Sequence, residues 1–178
     1  APSGKYQIVS QSPTKVDAIK AVKNLLTIVE DFPFAKPEHK SAWLACALTP
    51  LARYAFDGPS PLTLVDGNVR GCGTGLLCDI VAIILGGRTM ARTANPTNVE
   101  ETRKMVTSIA LCGQPLVLID DVSGNLGNSV LDAALTSTTW NDRLLGTNEM
   151  TGSIPLLTTW YATGNNVSLG GDMTRRTL

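Results

Sequence analysis

Apolar residues recur at helical spacing near the start of the chain and gather into short continuous runs after about residue 60, so the change of period divides the sequence. Val16, Ile19, Val22, Leu26 and Val29 form one helical stripe behind a Thr14/Asp17 capping box, which predicts an amphipathic helix reaching about Glu30. The proline-punctuated DFPFAKPEHK turns the chain. A second helix is expected from near Pro37, with Trp43, Leu44, Ala47 and Leu48 facing inward and Pro50 ending or kinking it. DGPSP marks a junction, so residues 1–60 read as a helical segment and residues 61–178 as the main domain.

Beyond the junction, strand and helix patterns alternate, as they do in a parallel sheet covered by helices. LTLVD (62–66) predicts a buried strand, followed at once by a glycine-rich stretch and a helix from about Thr74 to Leu85. RTMAR (88–92) supplies a short strand, and Thr97 with Glu100 suggests a capping box for a helix reaching roughly Cys112. PLVLIDDV (115–122) is a continuous apolar strand ending in two acids, and Ser129 with Asp132 suggests another helix start. In TTWNDRLLGTNEMTGSIP, Gly146 and Thr147-Asn148 lie between extended arms and predict a hairpin. IPLLTTWYATGNN (154–166) predicts a further central strand ending in polar residues.

Composition narrows the classes. The 178 residues are 43% apolar and 17% charged, an ordinary globular balance that excludes disorder and collagen-like structure. Lys+Arg and Asp+Glu are each 15, so a nucleic-acid or membrane-surface partner has to be met by a local patch. Cys46, Cys72, Cys78 and Cys112 show neither C-x-x-C spacing nor a histidine cluster, and read as small buried residues in a reducing compartment. The longest apolar run, IVAIIL (80–85), falls far below the ~20 residues that span a bilayer, so no membrane partner is expected. The opening APSGKYQIVSQSP lacks the pattern of a secretory signal, from which a cytoplasmic location is expected.

The candidate chemistry centres on GNVRGCGTGL (67–76). Glycines let several backbone N–H groups turn toward one anion, and a following helix adds donors and partial positive charge at its N-terminus. Against the phosphate-loop pattern of Ala/Gly, four residues, Gly, Lys and Ser/Thr, the chain offers Asn68, Gly73, Thr74 and Gly75, so only the central glycine fits. Taken alone, the stretch serves equally as a structural strand-to-helix turn. Asp120 ends its strand as the acid that would hold Mg²⁺ beside such a loop, and Asp121 is placed to orient or activate water; the alternative is an acid pair capping a turn. Asn165, with Asn166 second, ends the next strand where an amide can hold attacking water or the γ-phosphate, although Gly-Asn is also ordinary turn chemistry. Arg175 and Arg176 read either as cations reaching a neighbouring subunit's phosphate or as a solvated pair. His39, the only histidine, lies in a charged segment far from the strand ends, and Cys72 has no visible base, so nucleophilic triads have little support.

The order of strand and glycine loop, LVLIDD, hairpin, YATGNN and GDMTRR resembles the ATPase core of AAA+ proteins. The stretch LDAALTSTTWNDRLLGTNEMTGSIPLLTTWYATGNN, with GDMTRR after it, is similar to the superfamily 3 and poxvirus-type primase–helicase ATPases of phages and plasmids. The resemblance covers about Leu62 to Leu178. It implies an α/β P-loop NTPase sheet with flanking helices, and ATP bound along Asn68, Val69, Arg70, Gly71, Cys72, Gly73, Thr74, Gly75 and Leu76. It implies Mg²⁺ at Asp120, water activation by Asp121, a sensor role for Asn165 and a trans-acting arginine at Arg175 or Arg176. It further implies a homo-oligomeric ring such as a hexamer, acting in DNA replication in the cytoplasm of a bacterial or phage-infected cell. A hairpin over residues 142–153, with Arg143 its only cation, would follow single-stranded DNA.

Two departures divide the expected function. Where this chain has Thr74 the family has a lysine on the β- and γ-phosphates, and where it has Gly75 the family usually has a hydroxyl residue on Mg²⁺. Losing one charge-assisted contact costs ~1.5–3 kcal/mol, roughly ten- to a hundred-fold in affinity, and more in a transition state where charge moves. Binding is therefore expected to outlast turnover, with Arg70 a substitute cation and Thr74 itself a substitute Mg²⁺ ligand. RRTL (175–178) reads as only the start of a further strand, and the helical lid is missing, as in a fragment or a trimmed fold. The expectation is either Mg²⁺-dependent ATP binding and hydrolysis by a helicase-like domain, or a pseudo-ATPase of the same fold used for assembly or interaction.

Overall fold

A computed structural model describes residues 10–69, 71–144, 146 and 148–178. The chain divides into two compact units, one up to Leu44 and one over Ala45–Leu178. In the first, α1 (Lys15–Thr27) starts at the predicted box: Thr14 Oγ1 accepts from the Asp17 N–H at 3.3 Å, and the Asp17 carboxylate accepts from the Thr14 N–H at 2.8 Å. The Thr14 side-chain bond foremost holds the Asp17 pKa below its ordinary value. The helix ends at Thr27 rather than Glu30, where the amides of Ile28 and Val29 turn back to carbonyls three residues earlier. Its predicted apolar stripe is not buried. No residue of α1 is buried and Val16 is 74% exposed, while Val29, just past the helix, has no exposed surface. Capping needs only neighbours in sequence and sets where the helix begins, whereas burial needs a facing surface that periodicity cannot supply.

Helix α2 (Pro37–Ala52) crosses the division between the units. Trp43 and Ala47 are buried as expected, but Leu48 is 41% exposed and Cys46 takes an inward place instead. Pro50 does not end the helix. It sits in the last turn, where its missing N–H forfeits one bond, and the helix closes two residues later.

The second unit is mixed α/β. Its main elements are β1 (Thr63–Gly67), α3 (Thr74–Gly86), β2 (Arg92–Ala94), α4 (Val99–Leu111) and β3 (Leu116–Val122). They are followed by β4 (Asn125–Leu126), α5 (Ser129–Ala134), β5 (Thr139–Trp140), β6 (Ile154–Pro155), β7 (Thr159–Asn165), β8 (Ser168–Leu169) and a 3₁₀ turn at Met173–Arg175. Strands β1, β7, β3 and β2 form, in that order, a parallel sheet. Beside β1, the Leu62 N–H donates to the Arg176 carbonyl (2.8 Å) and the Leu178 N–H to the Leu62 carbonyl (2.9 Å), which makes an isolated parallel bridge between Leu62 and Thr177.

The centre of the sheet is apolar on both faces, as parallel strands between helices require. Val117 and Ile119 of β3 and Trp160 and Ala162 of β7 join one core with residues of α4 and α5, together with Leu62, Leu126 and Met173. Tyr161 points to the opposite face, where its hydroxyl donates to the Cys46 carbonyl at 2.7 Å. Among the described residues no helix is long and apolar enough to cross a membrane.

Boundaries in the second unit also differ from those the sequence predicts. Strand β2 begins only at Arg92, because the Met90 N–H is taken by the Asp79 side chain (3.0 Å) and holds the preceding residues as a connector. Helix α4 is capped by Asn98 rather than Thr97, its Oδ1 accepting from the Glu101 N–H at 2.9 Å. Helix α5 is capped by Asn128, which accepts from the Val130 and Leu131 N–H groups, so Ser129 is the first helical residue. Residues 154–166 are not one strand: β6 closes the predicted hairpin against β5, and the central strand starts at Thr159. The hairpin also carries an Arg143–Met150 bridge, while Leu145 and Thr147 at its tip lie outside the described residues.

Candidate functional site at the carboxyl ends of the sheet

Parallel strands send all their carboxyl ends to one side, where loops and helix N-termini gather. Strand β1 ends at Gly67, opposite Asn165 of β7. The turn after β7 is tied to β1 twice: the Asn166 N–H donates to the Gly67 carbonyl (3.2 Å), and the Val167 N–H donates to the Asp66 carboxylate (3.2 Å). From Gly67 the chain folds back on itself. A Cβ there would stand 2.5 Å from Cys72 Sγ, so glycine is needed for the cysteine to pack onto the strand end. Gly71 (φ +79°) and Gly73 (φ +89°) are left-handed, a conformation glycine adopts without penalty. Gly73 caps α3 and, having no side chain, makes no side-chain cap hydrogen bond to the amides of the first turn. Asn68 and Val69 are exposed at the rim, and Arg70 lies outside the described residues.

Asp120 and Asp121 stand at the tip of β3 in a bulge, where the register slips between Ile119 and Val122. Asp121 is left-handed (φ +53°), an uncommon state for a residue with a side chain. Thr163 of β7 locks the bulge, its Oγ1 accepting from the Asp121 N–H (3.1 Å) and donating to Asp120 Oδ1 (2.5 Å). The second Asp120 oxygen accepts from Arg92 Nε at 2.9 Å, and Arg92 Nη2 donates to Asp79 Oδ2 at 2.6 Å. Asp79 is buried in α3, and its hydrogen bond foremost raises the pKa of the Arg92 guanidinium. Arg92 Nη2 also lies 3.7 Å from where a Cβ on Gly75 would stand. One side chain from β2 thus joins the glycine loop's helix to the acidic strand tip.

Arg92, Asp79 and Thr163 were not singled out by sequence reasoning. A signal existed for Asp79: an acid inside TGLLCDIVAIILG, four residues after Gly75 and so on the same helical face, needs a buried partner.

The other predicted residues separate. Asn165 is half-buried at the β7 tip beside Gly67, and Asn166 is exposed and left-handed (φ +55°). Arg175 and Arg176 are not brought to this site, since they lie alongside Leu62 at the opposite, amino end of β1. Arg176 is held by Asp132 (2.7 Å) and Asp172 (3.3 Å), whereas Arg175 is 75% exposed and pairs only with Asp172 (2.8 Å) among the described residues. The hairpin base is fixed to α4. Trp140 Nε1 donates to Thr107 Oγ1 (2.9 Å), Thr107 Oγ1 donates to the buried Asp142 carboxylate, and Arg103 lies 3.7 Å from the same acid. The Arg143 guanidinium donates to Asn148.

Among the described residues no group of His, Cys, Asp and Glu is assembled to hold a metal by itself. Asp120 and Asp121 fit Mg²⁺ only as the ion is carried by phosphates, which need one or two protein carboxylates beside them. All four cysteines are free. Cys46 and Cys78 are buried as expected and Cys72 is partly so, but Cys112 is exposed at the end of α4. Burial foremost pushes the Cys78 thiol up to about 12. A cleft of about 630 Å³ runs between β2 and α4, lined by Thr93, Asn95, Met105 and Cys112 among others, and shares with the loop site only Arg92. No protein-family model matches the chain, and no curated protein matches it.

Proposed function

We propose that the second unit is a P-loop NTPase-like domain that binds the phosphates of ATP at the carboxyl end of β1, as the AAA+ and superfamily 3 resemblance implies. The observation that carries this reading is the convergence of the glycine loop, the Asp120–Asp121 bulge and Asn165 at the exit ends of neighbouring parallel strands. Amides of Gly73, Thr74 and Gly75 would donate to phosphate oxygens, with the partial charge of the 13-residue α3 behind them. Mg²⁺ brought by the triphosphate would neutralise phosphate charge, and Asp120 is the acid to hold it.

Hydrolysis would proceed by in-line attack of water on the γ-phosphorus, forming the new P–O bond as the bond to the β-bridging oxygen breaks. Asp121 would orient the water and accept its proton, and Asn165 would fix the γ-phosphate or the water. Arg175 or Arg176 could serve only the site of a second copy, because both lie at the far end of β1. Arg175 fits that role better, since Arg176 is committed to Asp132. A ring of copies and single-stranded DNA along the 142–153 hairpin complete the replication-helicase form of the proposal.

The pseudo-ATPase reading is favoured by one observation: Thr74 supplies no ammonium where the family has lysine, and Gly75 supplies no hydroxyl where the family has one. Titration with a fluorescent ATP analogue, with and without Mg²⁺, tests the proposal. Saturable micromolar binding that weakens in Asp120→Ala is expected, and no binding at millimolar analogue would overturn it. Recovered hydrolysis in Thr74→Lys would show an otherwise complete site, whereas tight binding without turnover would favour the assembly module.

A further inference from the structure

We propose that Arg92 supplies the positive charge that the loop lacks at Thr74, so that phosphate is gripped by a guanidinium carried on β2 rather than by an ammonium on α3. This inference rests on the phosphate-loop reading above and adds to it a binding residue outside the loop. Three features lead to it. Arg92 Nη2 is 3.7 Å from the position of a Cβ on Gly75, which places the cation against the first turn of α3, one residue from Thr74. The guanidinium is held from two sides, by Asp79 at 2.6 Å and Asp120 at 2.9 Å, so it is fixed in place rather than swinging from an exposed strand edge. An arginine has five N–H donors, of which these carboxylates engage Nε and one on Nη2, and the side chain is 39% exposed. The remaining donors can meet a phosphate oxygen, and a planar fork suits that acceptor.

Asp79 acquires a reason in this arrangement. A buried carboxylate in an apolar helix is costly without a partner, and its bonds to Arg92 and to the Met90 N–H fix both the cation and the chain that carries it. Two acids on one guanidinium give the trio a formal net negative charge, which Mg²⁺ accompanying the phosphate would offset; Asp120 would hold that ion, and Arg92, still paired with Asp79, would face the triphosphate.

The test is a double-mutant cycle on affinity for a fluorescent ATP analogue with Mg²⁺, using the full chain. Arg92→Gln is expected to weaken binding by roughly ten- to a hundred-fold, the loss of one charge-assisted contact. Thr74→Lys in the Arg92→Gln background is expected to restore binding nearly to the starting level, while Thr74→Lys alone gains far less, because the two positions supply the same charge. Unchanged affinity in Arg92→Gln overturns the proposal. So does an equal gain from Thr74→Lys in both backgrounds, which would mean that Arg92 acts only by positioning Asp120. If Arg92→Gln fails to fold, Asp79→Asn/Arg92→Gln removes the buried charge with its partner and is read the same way. Absence of binding in every variant, Thr74→Lys included, would instead overturn the phosphate-loop reading.

Discussion

The two ends of the parallel sheet are built by opposite rules. At the amino ends of β3 and β7, neutral donors meet backbone carbonyls: Thr158 Oγ1 donates to the Gln114 carbonyl (2.8 Å) and the Thr159 N–H to the Pro115 carbonyl (2.9 Å). No left-handed residue with a side chain occurs there among the described residues. At the carboxyl ends stand left-handed Asp121 and Asn166, a strand bulge, and a half-exposed cation between two acids. These two amino ends pair neutral groups, and the charged Arg176–Asp132–Asp172 cluster stands apart from them beside β1. The carboxyl ends keep strain and charge that a purely structural end would have shed, and such features cluster where ligands bind.

That contrast can be broken or sharpened by substitution. The largest effect is expected from Trp160→Ala, which empties a fully enclosed site near the amino end of β7. It should cost about 3–5 kcal/mol in urea denaturation, with analogue affinity of the remaining folded protein unchanged. Thr158→Val should cost about 1 kcal/mol, because one neutral hydrogen bond is lost. At the other end the sign reverses: Asp121→Gly relieves a left-handed aspartate and should raise stability by about 1 kcal/mol while abolishing any hydrolysis. A destabilised Asp121→Gly would mean that the bulge is held by packing and that the two ends do not differ in strain. The smallest effect concerns Cys78, whose pKa is pushed up to about 12. With a folded value above the unfolded one, its contribution to stability is complete below the unfolded pKa and declines as pH rises through about 9 toward 12. Alkylation followed by mass spectrometry at pH 8 should label exposed Cys112 and spare Cys78.

The main alternation after residue 60 was legible because β1, β3 and β7 fall in short apolar runs and α4 and α5 have nearby capping residues, whereas the two-residue strands β4 and β8 carry no such pattern. The capping asparagines were misplaced by one residue at Asn98 and Asn128, since in each case a neighbouring residue offers similar capping chemistry and only backbone geometry selects one. The glycine loop, both acids and Asn165 were legible as strand ends. Arg92 was not, because its meaning depends on β2 lying beside β3 and on α3 crossing within reach, and neither is written in RTMART. The α1 stripe was legible as a helix but not as a packing surface, since periodicity describes one face and says nothing about what meets it.

The bulge in β3 has a consequence for chain length. Between the pairs Ile119–Ala162 and Val122–Gly164, β3 holds one residue more than β7. Deleting Asp121 would leave the strands equal in count and able to pair without interruption, so an in-frame loss of a single codon here should improve the sheet while removing an acid from its exit. Most deletions inside a central strand ruin a fold by reversing the side chains beyond them. In β3 the reversal has already been made by the extra residue, and length variation at this position separates the survival of the domain from the survival of whatever its carboxyl end does.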